Sequence, residues 1–364
     1  MEHSKRKMLY IMHVSWYWIK QRPHFLAENL NEYFDVTILY KKSLTDFLTR
    51  STIPNNCIGI FQFPLSRFQI IAKLNRFIYR QYVKKYLKNV DCLWMSSAID
   101  YSSISDIIDI KLNLVYDCMD DVCEFPKYKK EPEASKIINK EKKFVERANN
   151  IIVSSNWLKQ VIYKRYGIKK NIHLINNAID QNFLHKNLLN KEISYPLKKA
   201  YVDIMYIGTI SEWLNFEIIQ KALDDFSELR LILIGPLGSE IPTHNRIIHL
   251  GAKAHVELPL FMAKADALIM PFIVNDLILS VNPVKLYEYI FAGKPVITCN
   301  YKEIEQFNEF VYAYNDDEDF LQLINNLMLG NLSVKSKEER TNFLKINSWK
   351  ERSLDISKII LRDF

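Results

Sequence analysis

Two open α/β domains, each a doubly wound parallel sheet, are what this sequence predicts, and three observations carry the prediction. Short β-branched or apolar runs alternate with helical patterns along most of the chain, the signature of βαβ units. The 364 residues exceed what one hydrophobic core usually supports, at roughly 150 residues per domain. A polar, irregular stretch over 187–200 divides the alternating elements in two and reads as a linker.

In the first half, 8–14, 36–40, 92–95, 112–117, 151–154 and 172–175 read as strands of one sheet, giving a domain over 1–186. In the second, 203–207, 231–234, 247–250, 267–270 and 295–298 read as strands of another, over 201–347. Several of these end in glycine or proline: Gly208, Gly235, Gly251 and Pro271. Open parallel sheets bind ligands outside the carboxyl ends of their strands, where glycine lets backbone approach a phosphate or a base. After a last strand-like run at 310–314 the chain turns helical. The final segment, 348–364, carries Trp349, Leu354, Ile359 and Ile360 as an apolar face that docks on one of the domains, the first being the expectation.

Composition narrows the function classes. A hydrophobic share of 48% and a charged share of 25% match an ordinary soluble protein, and no run offers the roughly 18 uncharged apolar residues of a membrane span. The start, Met1 to Lys7, lacks the apolar run and cleavage site of a secretory signal, so a cytoplasmic location is expected. Five scattered cysteines without a CxxC pair indicate neither a disulfide framework nor a zinc site. The net charge of +7 clusters in one place: Arg67, Lys73, Arg76, Arg80, Lys84, Lys85 and Lys88 fall within 67–88, with no acidic residue among them. Ile70, Leu74, Phe77 and Ile78 recur there at helical spacing. This basic amphipathic helix either lies on an anionic membrane surface or packs on its own domain as a solvated helix. No zinc-finger, RRM or KH signature accompanies the charge, so nucleic acid is not the expected partner.

The densest chemistry lies at 282–288. Asn282 before Pro283 is a strong helix start, with Asn282 as N-cap and Pro283 at the first position, and Gly293 followed by Pro295 is the stop. In this helix of about ten residues, Val284, Tyr287 and Phe291 face the core while Lys285 and Glu288 share another face. Lys285 in the first turn adds its ammonium to the free N–H groups of the helix end, and a diphosphate fits there. Glu288, one turn deeper, is placed to accept hydrogen bonds from the two hydroxyls of a ribose. The same two residues, read without their surroundings, are an ordinary surface ion pair.

The surroundings are not ordinary. Tyr206 to Trp213, Leu231 to Pro236, Leu250-Gly251 through Glu257-Leu258-Pro259, Ala265 to Phe272, and Asn282 through Val296 follow in order. Together they resemble the C-terminal domain of GT-B glycosyltransferases, especially bacterial enzymes of exopolysaccharide and teichuronic-acid type, similar to glycosyltransferase family 4. The resemblance implies a GT-B fold, two Rossmann-like domains facing across a cleft. It implies transfer of a sugar from a nucleotide diphosphate sugar, a UDP-sugar first, to a hydroxyl of a glycan or lipid-linked glycan in cell-surface polysaccharide synthesis. No metal and no cofactor are expected. One carboxylate motif does not distinguish retention from inversion at the anomeric carbon, and the larger part of the similar families retains it. A nucleotide-sugar epimerase of the same fold and a non-catalytic binding protein are the competing readings. A Rossmann oxidoreductase lacks its GxGxxG after the first strand.

By the same resemblance Lys285 contacts the donor diphosphate and Glu288 the ribose, with Asn282 and Leu286 in the same motif. Gly208 and Thr209 approach the phosphate or sugar from the opposite side, and the Gly235-Pro236 turn meets the base. Two positions depart from the pattern. Many relatives place a glutamate eight residues before the ribose-binding one, where this chain has Ser280, and a basic residue soon after the first glycine, where it has Glu212 and Trp213.

In the first domain Tyr116-Asp117-Cys118-Met119-Asp120-Asp121 ends a strand, and the run resembles a Tyr-Asp-x-x-Asp-Asp stretch in the same enzymes. A carboxylate there acts as general base on an acceptor hydroxyl or stabilises positive charge on the donor sugar. Asp120 is the first candidate and Asp121 the second. A divalent metal site and a plain loop or capping role are the alternatives. After the first strand come Trp16, Trp18 and Arg22, where aromatic rings can stack on sugar faces and an arginine can clamp an anion of the acceptor. Aromatics at a strand end also serve as core; His13 and His24 are possible bases, although a lone histidine at a sheet edge is more often structural. Asn177-Ala178-Ile179-Asp180 resembles the family's turn before the linker and reads as a hinge.

Overall fold

The computed structural model describes residues 5–48, 53–168, 171–184, 193, 195 and 200–364. In chain order the first elements are β1 (Lys7–Met12), α1 (Arg22–Leu30), β2 (Asp35–Lys42), β3 (Cys57–Phe61), α2 (Gln69–Leu87), β4 (Cys92–Met95) and α3 (Ala98–Ile104). β5 (Asn113–Cys118), α4 (Glu133–Arg147), β6 (Asn150–Val153), α5 (Asn156–Tyr166), β7 (Ile172–Leu174) and α6 (Gln181–Leu184) follow. Next are β8 (Val202–Ile207), α7 (Phe216–Asp225), β9 (Leu229–Ile234), β10 (Ile247–His249), α8 (Leu258–Met262), β11 (Ala267–Met270) and α9 (Asp276–Ser280). The chain ends with α10 (Val284–Ala292), β12 (Val296–Cys299), β13 (Tyr312–Tyr314), α11 (Asp317–Met328), α12 (Lys337–Ile346) and α13 (Trp349–Leu361).

These divide into two compact units, Met1–Asn176 with Trp349–Phe364, and Asn177–Ser348. The division falls after Asn176, and most of 187–200, the segment read as linker, lies outside the described residues. The first unit holds a parallel sheet in the order β3-β2-β1-β4-β5-β6-β7. The second holds a parallel sheet in the order β10-β9-β8-β11-β12-β13. Both are the α/β architecture expected from the alternating pattern. Every residue of the central strands β5, β9 and β11 is buried, mostly apolar on both faces with Asn113, Asp117 and Arg230 as the polar members, because helices cover both faces of a parallel sheet. The order reverses between β1 and β4 in one sheet and between β8 and β11 in the other, and ligands bind open α/β sheets at such switch points.

The edge strand β3 is the one the sequence pattern did not indicate. Gly59 interrupts its apolar run, and a Cβ there would lie 2.8 Å from the Tyr40 hydroxyl of β2, so the glycine makes room for that ring. The C-terminal helix α13 packs on α1 of the first unit, with the rings of Trp349 and Phe25 stacked at 5.3 Å. Its buried face is Trp349, Ser353, Ile356, Ser357 and Ile360, one step round from the Leu354 and Ile359 expected. Beyond it, Asp363 accepts hydrogen bonds from Asn113 (2.9 Å) and Asn150 (2.5 Å) at the start of β5 and β6. Among the described residues no helix is long and apolar enough to cross a membrane.

Candidate active site

In the second unit α10 is held from both ends. The Ile207 N–H donates to the Tyr289 hydroxyl (2.8 Å), tying the middle of the helix to the end of β8. At the other end Gly293 adopts φ +68° as C-cap, and Arg340 of α12 donates to the carbonyls of Ile290 (2.9 Å) and Phe291 (2.8 Å). Leu286 and Tyr287 are buried core, so Leu286 supports the site without offering it a polar group.

The start of the helix differs from the expectation. Pro283 takes the cap position, no side chain caps it, and the helix runs nine residues from Val284. Asn282 is turned to the opposite task. Its Oδ1 accepts from the Asn177 N–H (2.9 Å) and its carbonyl from the Asn177 Nδ2 (2.6 Å), so the turn at Asn177 is pinned to the entrance of α10. The reason is competition: an Asn side chain satisfies whichever N–H lies within reach, and proline at the next position fixes a φ that suits the cap as well as the first turn. The Asn282 Nδ2 is buried with no acceptor among the described residues.

Lys285 and Glu288 do share one face. The Lys285 Nζ lies 2.7 Å from Glu288 Oε2, and Oε1 of the same carboxylate lies 3.0 Å from His255 Nε2. Glu288 is nearly buried, which by itself raises a carboxyl pKa. The Lys285 charge and the His255 hydrogen bond outweigh burial and hold the carboxyl down at about 2. The sequence reading missed His255, which precedes α8 and carries no motif of its own. Its ring packs on Phe183 at 5.2 Å, and only folding brings that pair beside Glu288.

The glycine turns meet backbone to backbone. Gly235 adopts φ +149°, and a Cβ on it would lie 1.8 Å from the Gly208 carbonyl oxygen, so only glycine fits. The Gly208 N–H donates to the Ile234 carbonyl (2.9 Å), and His249 takes the Gly235 carbonyl at 2.8 Å. Gly235 is therefore an internal brace, and the half-buried members of the two turns are Gly208, Thr209 and Pro236. Glu212 is exposed. Ser280 is not brought to this surface: it is fully buried and its hydroxyl donates to the Leu277 carbonyl (2.7 Å), since a serine near a helix end bonds back to the preceding turn.

In the first unit the three aspartates part company. Asp117 is fully buried and bound by Arg22, with Arg22 Nε 3.0 Å and Nη2 2.9 Å from Oδ1. Arg22 also donates to the Ile175 carbonyl (2.9 Å) and is itself buried. It braces β5 against the end of β7 and does not reach out as a clamp. Asp121 is buried in a fork with Arg165, Nη1–Oδ1 2.9 Å and Nη2–Oδ2 2.7 Å, and accepts from the Cys123 N–H (3.2 Å). Glu141 closes that network, accepting from the hydroxyls of Tyr116 (2.6 Å) and Tyr166 (2.5 Å). Asp121→Asn is therefore expected to cost about 2–3 kcal/mol of stability, read by urea unfolding, with kcat per folded molecule little changed.

Asp120 lines a cavity of about 390 Å³ with His13, Lys41, Ser96 and Asp100, and neither Asp117 nor Asp121 is in its lining. Burial raises its carboxyl to about 6, with Arg22 opposing and Asp117 and Asp121 adding to the rise. His13 contacts Ser96 Oγ at 2.6 Å, and burial lowers its pKa. Lys41 pairs with Asp100. His24 is structural: it completes a capping box with Gln21 at the start of α1, and burial lowers it to about 4. Trp16 tilts against the His24 ring at 5.4 Å, whereas Trp18 is exposed. Among the described residues no three His, Cys, Asp or Glu side chains converge as a metal cluster would require.

Comparison with known proteins bears on the fold and on the second unit's family. Residues 202–329 match the family described as Glycosyl transferases group 1. TuaH of Bacillus subtilis (strain 168), described as a teichuronic acid biosynthesis glycosyltransferase, is 25% identical over 221 residues. That match spans 57% of this chain and 56% of TuaH, about half the length of each. Sucrose-phosphate synthase from Thermosynechococcus elongatus superposes with a TM-score of 0.73 at 13% identity, covering 99% of both chains. HepE of Anabaena, solved in complex with UDP-glucose, gives 0.70 at 15% identity, covering 98% of this chain and all of that one. The chain thus has the GT-B fold, and its residues 202–329 are a glycosyl transferases group 1 domain.

Proposed function

We propose that this protein is a glycosyltransferase that moves a sugar from a nucleotide diphosphate sugar to a hydroxyl of a glycan or lipid-linked glycan, in the assembly of a cell-surface polysaccharide. The observation that carries the reading is the start of α10, a helix end without a side-chain cap, flanked by Lys285 and the nearly buried Glu288 and tied to β8 just before the Gly208 turn. Open N–H groups, the positive end of the helix and an ammonium together favour a diphosphate. Glu288, held ionised, accepts the two ribose hydroxyls in place of Lys285, which swings to the phosphates. The buried Asn282 amide gains an acceptor if a phosphate or sugar oxygen reaches it. UDP is the first candidate nucleotide, since HepE was solved with UDP-glucose.

On the acceptor side, Asp120 accepts a hydrogen bond from the attacking hydroxyl and draws off its proton as the new C–O bond forms. The bond from the anomeric carbon to phosphate breaks, and the diphosphate leaves with the electron pair, its charge met by Lys285 and the helix end. This scheme needs no metal. This single displacement inverts the anomeric carbon, whereas the family resemblance favours retention; proton NMR of the product's anomeric signal decides, and a retained configuration would remove Asp120 as the base.

A thermal-shift series with UDP-, GDP-, dTDP- and ADP-sugars tests the donor site. A true donor at about 100 times its Kd adds about 2.7 kcal/mol of stability and raises the melting midpoint. Silence from all four would sink the reading. Conversion of a donor to another nucleotide sugar, with no acceptor needed, would replace it with an epimerase.

A further inference from the structure

The geometry points to α2 and the segment leading into it as a docking surface for an anionic lipid bilayer. Of the helix's 19 residues only Asn75, Tyr79 and Val83 are buried. Ile70, Leu74 and Phe77, at i, i+4 and i+7, run along the opposite side and are 82%, 44% and 59% exposed. Asn75 clamps the preceding segment, accepting from the Phe63 N–H (2.8 Å) and donating to the Phe63 carbonyl (2.9 Å). Exposed Phe63, Leu65 and Phe68 thereby extend the apolar stripe. Leu65 sits at φ +63°, a conformation disfavoured for a residue with a side chain, and still presents that side chain to solvent. A soluble surface has no use for such a row of large apolar side chains.

Charge decides the occupant. Arg67, Lys73, Lys84, Lys85 and Lys88 are exposed along this surface, and among the described residues none is in an ion pair. Arg80 is the exception: it forks onto Asp106 at 2.7 Å and donates to the Ser103 carbonyl (2.6 Å), which anchors the helix to its unit. Beside it Arg76 joins Lys140 and Lys143 around a hollow of about 360 Å³ with Ser102, Ser103 and Ser105, and no carboxylate lines it. Apolar side chains flanked by unpaired cations match the acyl and phosphate layers of an anionic leaflet. A second copy of the same face would bring like charges together, and a nucleic acid would leave Ile70, Leu74 and Phe77 without an apolar partner.

Flotation of the full chain tests this, with vesicles of phosphatidylcholine alone or mixed with equal phosphatidylglycerol. Binding is expected to the mixed vesicles, about tenfold or more weaker to the neutral ones, and weakened by salt. Ile70→Ser with Phe77→Ser should lower partitioning about tenfold or more. Lys73→Gln, Lys84→Gln and Lys85→Gln should each lower it about fivefold. All five positions are exposed, so an unchanged melting midpoint separates lost docking from misfolding. Equal binding to both vesicle types, or full binding by both sets of variants, overturns the inference. So does binding to an oligonucleotide, or a dimer that Ile70→Ser with Phe77→Ser dissolves, in place of vesicle binding. None of these readouts depends on sugar transfer.

Discussion

Asp120→Asn is expected to lower kcat by about 10²–10⁴-fold while leaving donor binding intact, because it removes a proton acceptor and leaves the shape of its cavity unchanged. The pH profile gives the sharper test. In the proposed scheme the group works as the carboxylate, and burial places its pKa at about 6, so the wild-type rate should fall about tenfold per pH unit below that value. The acid limb should vanish in the variant. Stability should move the other way. The folded protein holds this proton between the ordinary value of 3.8 and about 6, so the group lowers stability as pH rises through that window. The variant has no such charge and should melt higher than wild type at neutral pH, the exchange of stability for function that a buried catalytic charge entails. A rate unchanged by Asp120→Asn would remove the carboxylate from the mechanism.

Lys285→Ala should lower kcat/KM by about 100-fold or more, chiefly through the donor, since it deletes the ammonium in the first turn of α10. The melting shift produced by the true donor should disappear with it. Lys285→Arg keeps a charge at the same place and should recover part of the loss, whereas a merely structural lysine would show no such rescue. Glu288 adds a second signature. Its carboxyl lies below its ordinary 4.5 because Lys285 and His255 outweigh its burial, so it stabilises the fold above that pH and the contribution is lost as pH falls toward 2. Without Lys285 much of this contribution should be missing at neutral pH, and titrating unfolding from pH 7 toward pH 2 measures the difference.

How much of this was legible beforehand follows from which forces act locally. Periodicity marked the strands of both sheets because a parallel strand is apolar on both faces, and it missed β3 because Gly59 breaks that pattern at an edge. Local spacing put Lys285 and Glu288 on one helical face, since three residues of separation determine that before any tertiary contact forms. Spacing also put three aspartates within five residues, yet could not rank them.

The chain's own order of residues thus determined the two α/β sheets, the glycine turns at Gly208 and Gly235, the Lys285–Glu288 face and the basic stripe of α2. Tertiary structure decided the rest: that Arg22 and Arg165 claim Asp117 and Asp121 and leave Asp120 to the cavity, that Asn282 serves Asn177 and leaves α10 uncapped, and that His255 meets Glu288. The physical reason is one of range. Helical and strand periodicities are set by neighbours a few residues apart, whereas a carboxylate's partner and pKa depend on which cation arrives from 44 or 95 residues away and how much water remains around it.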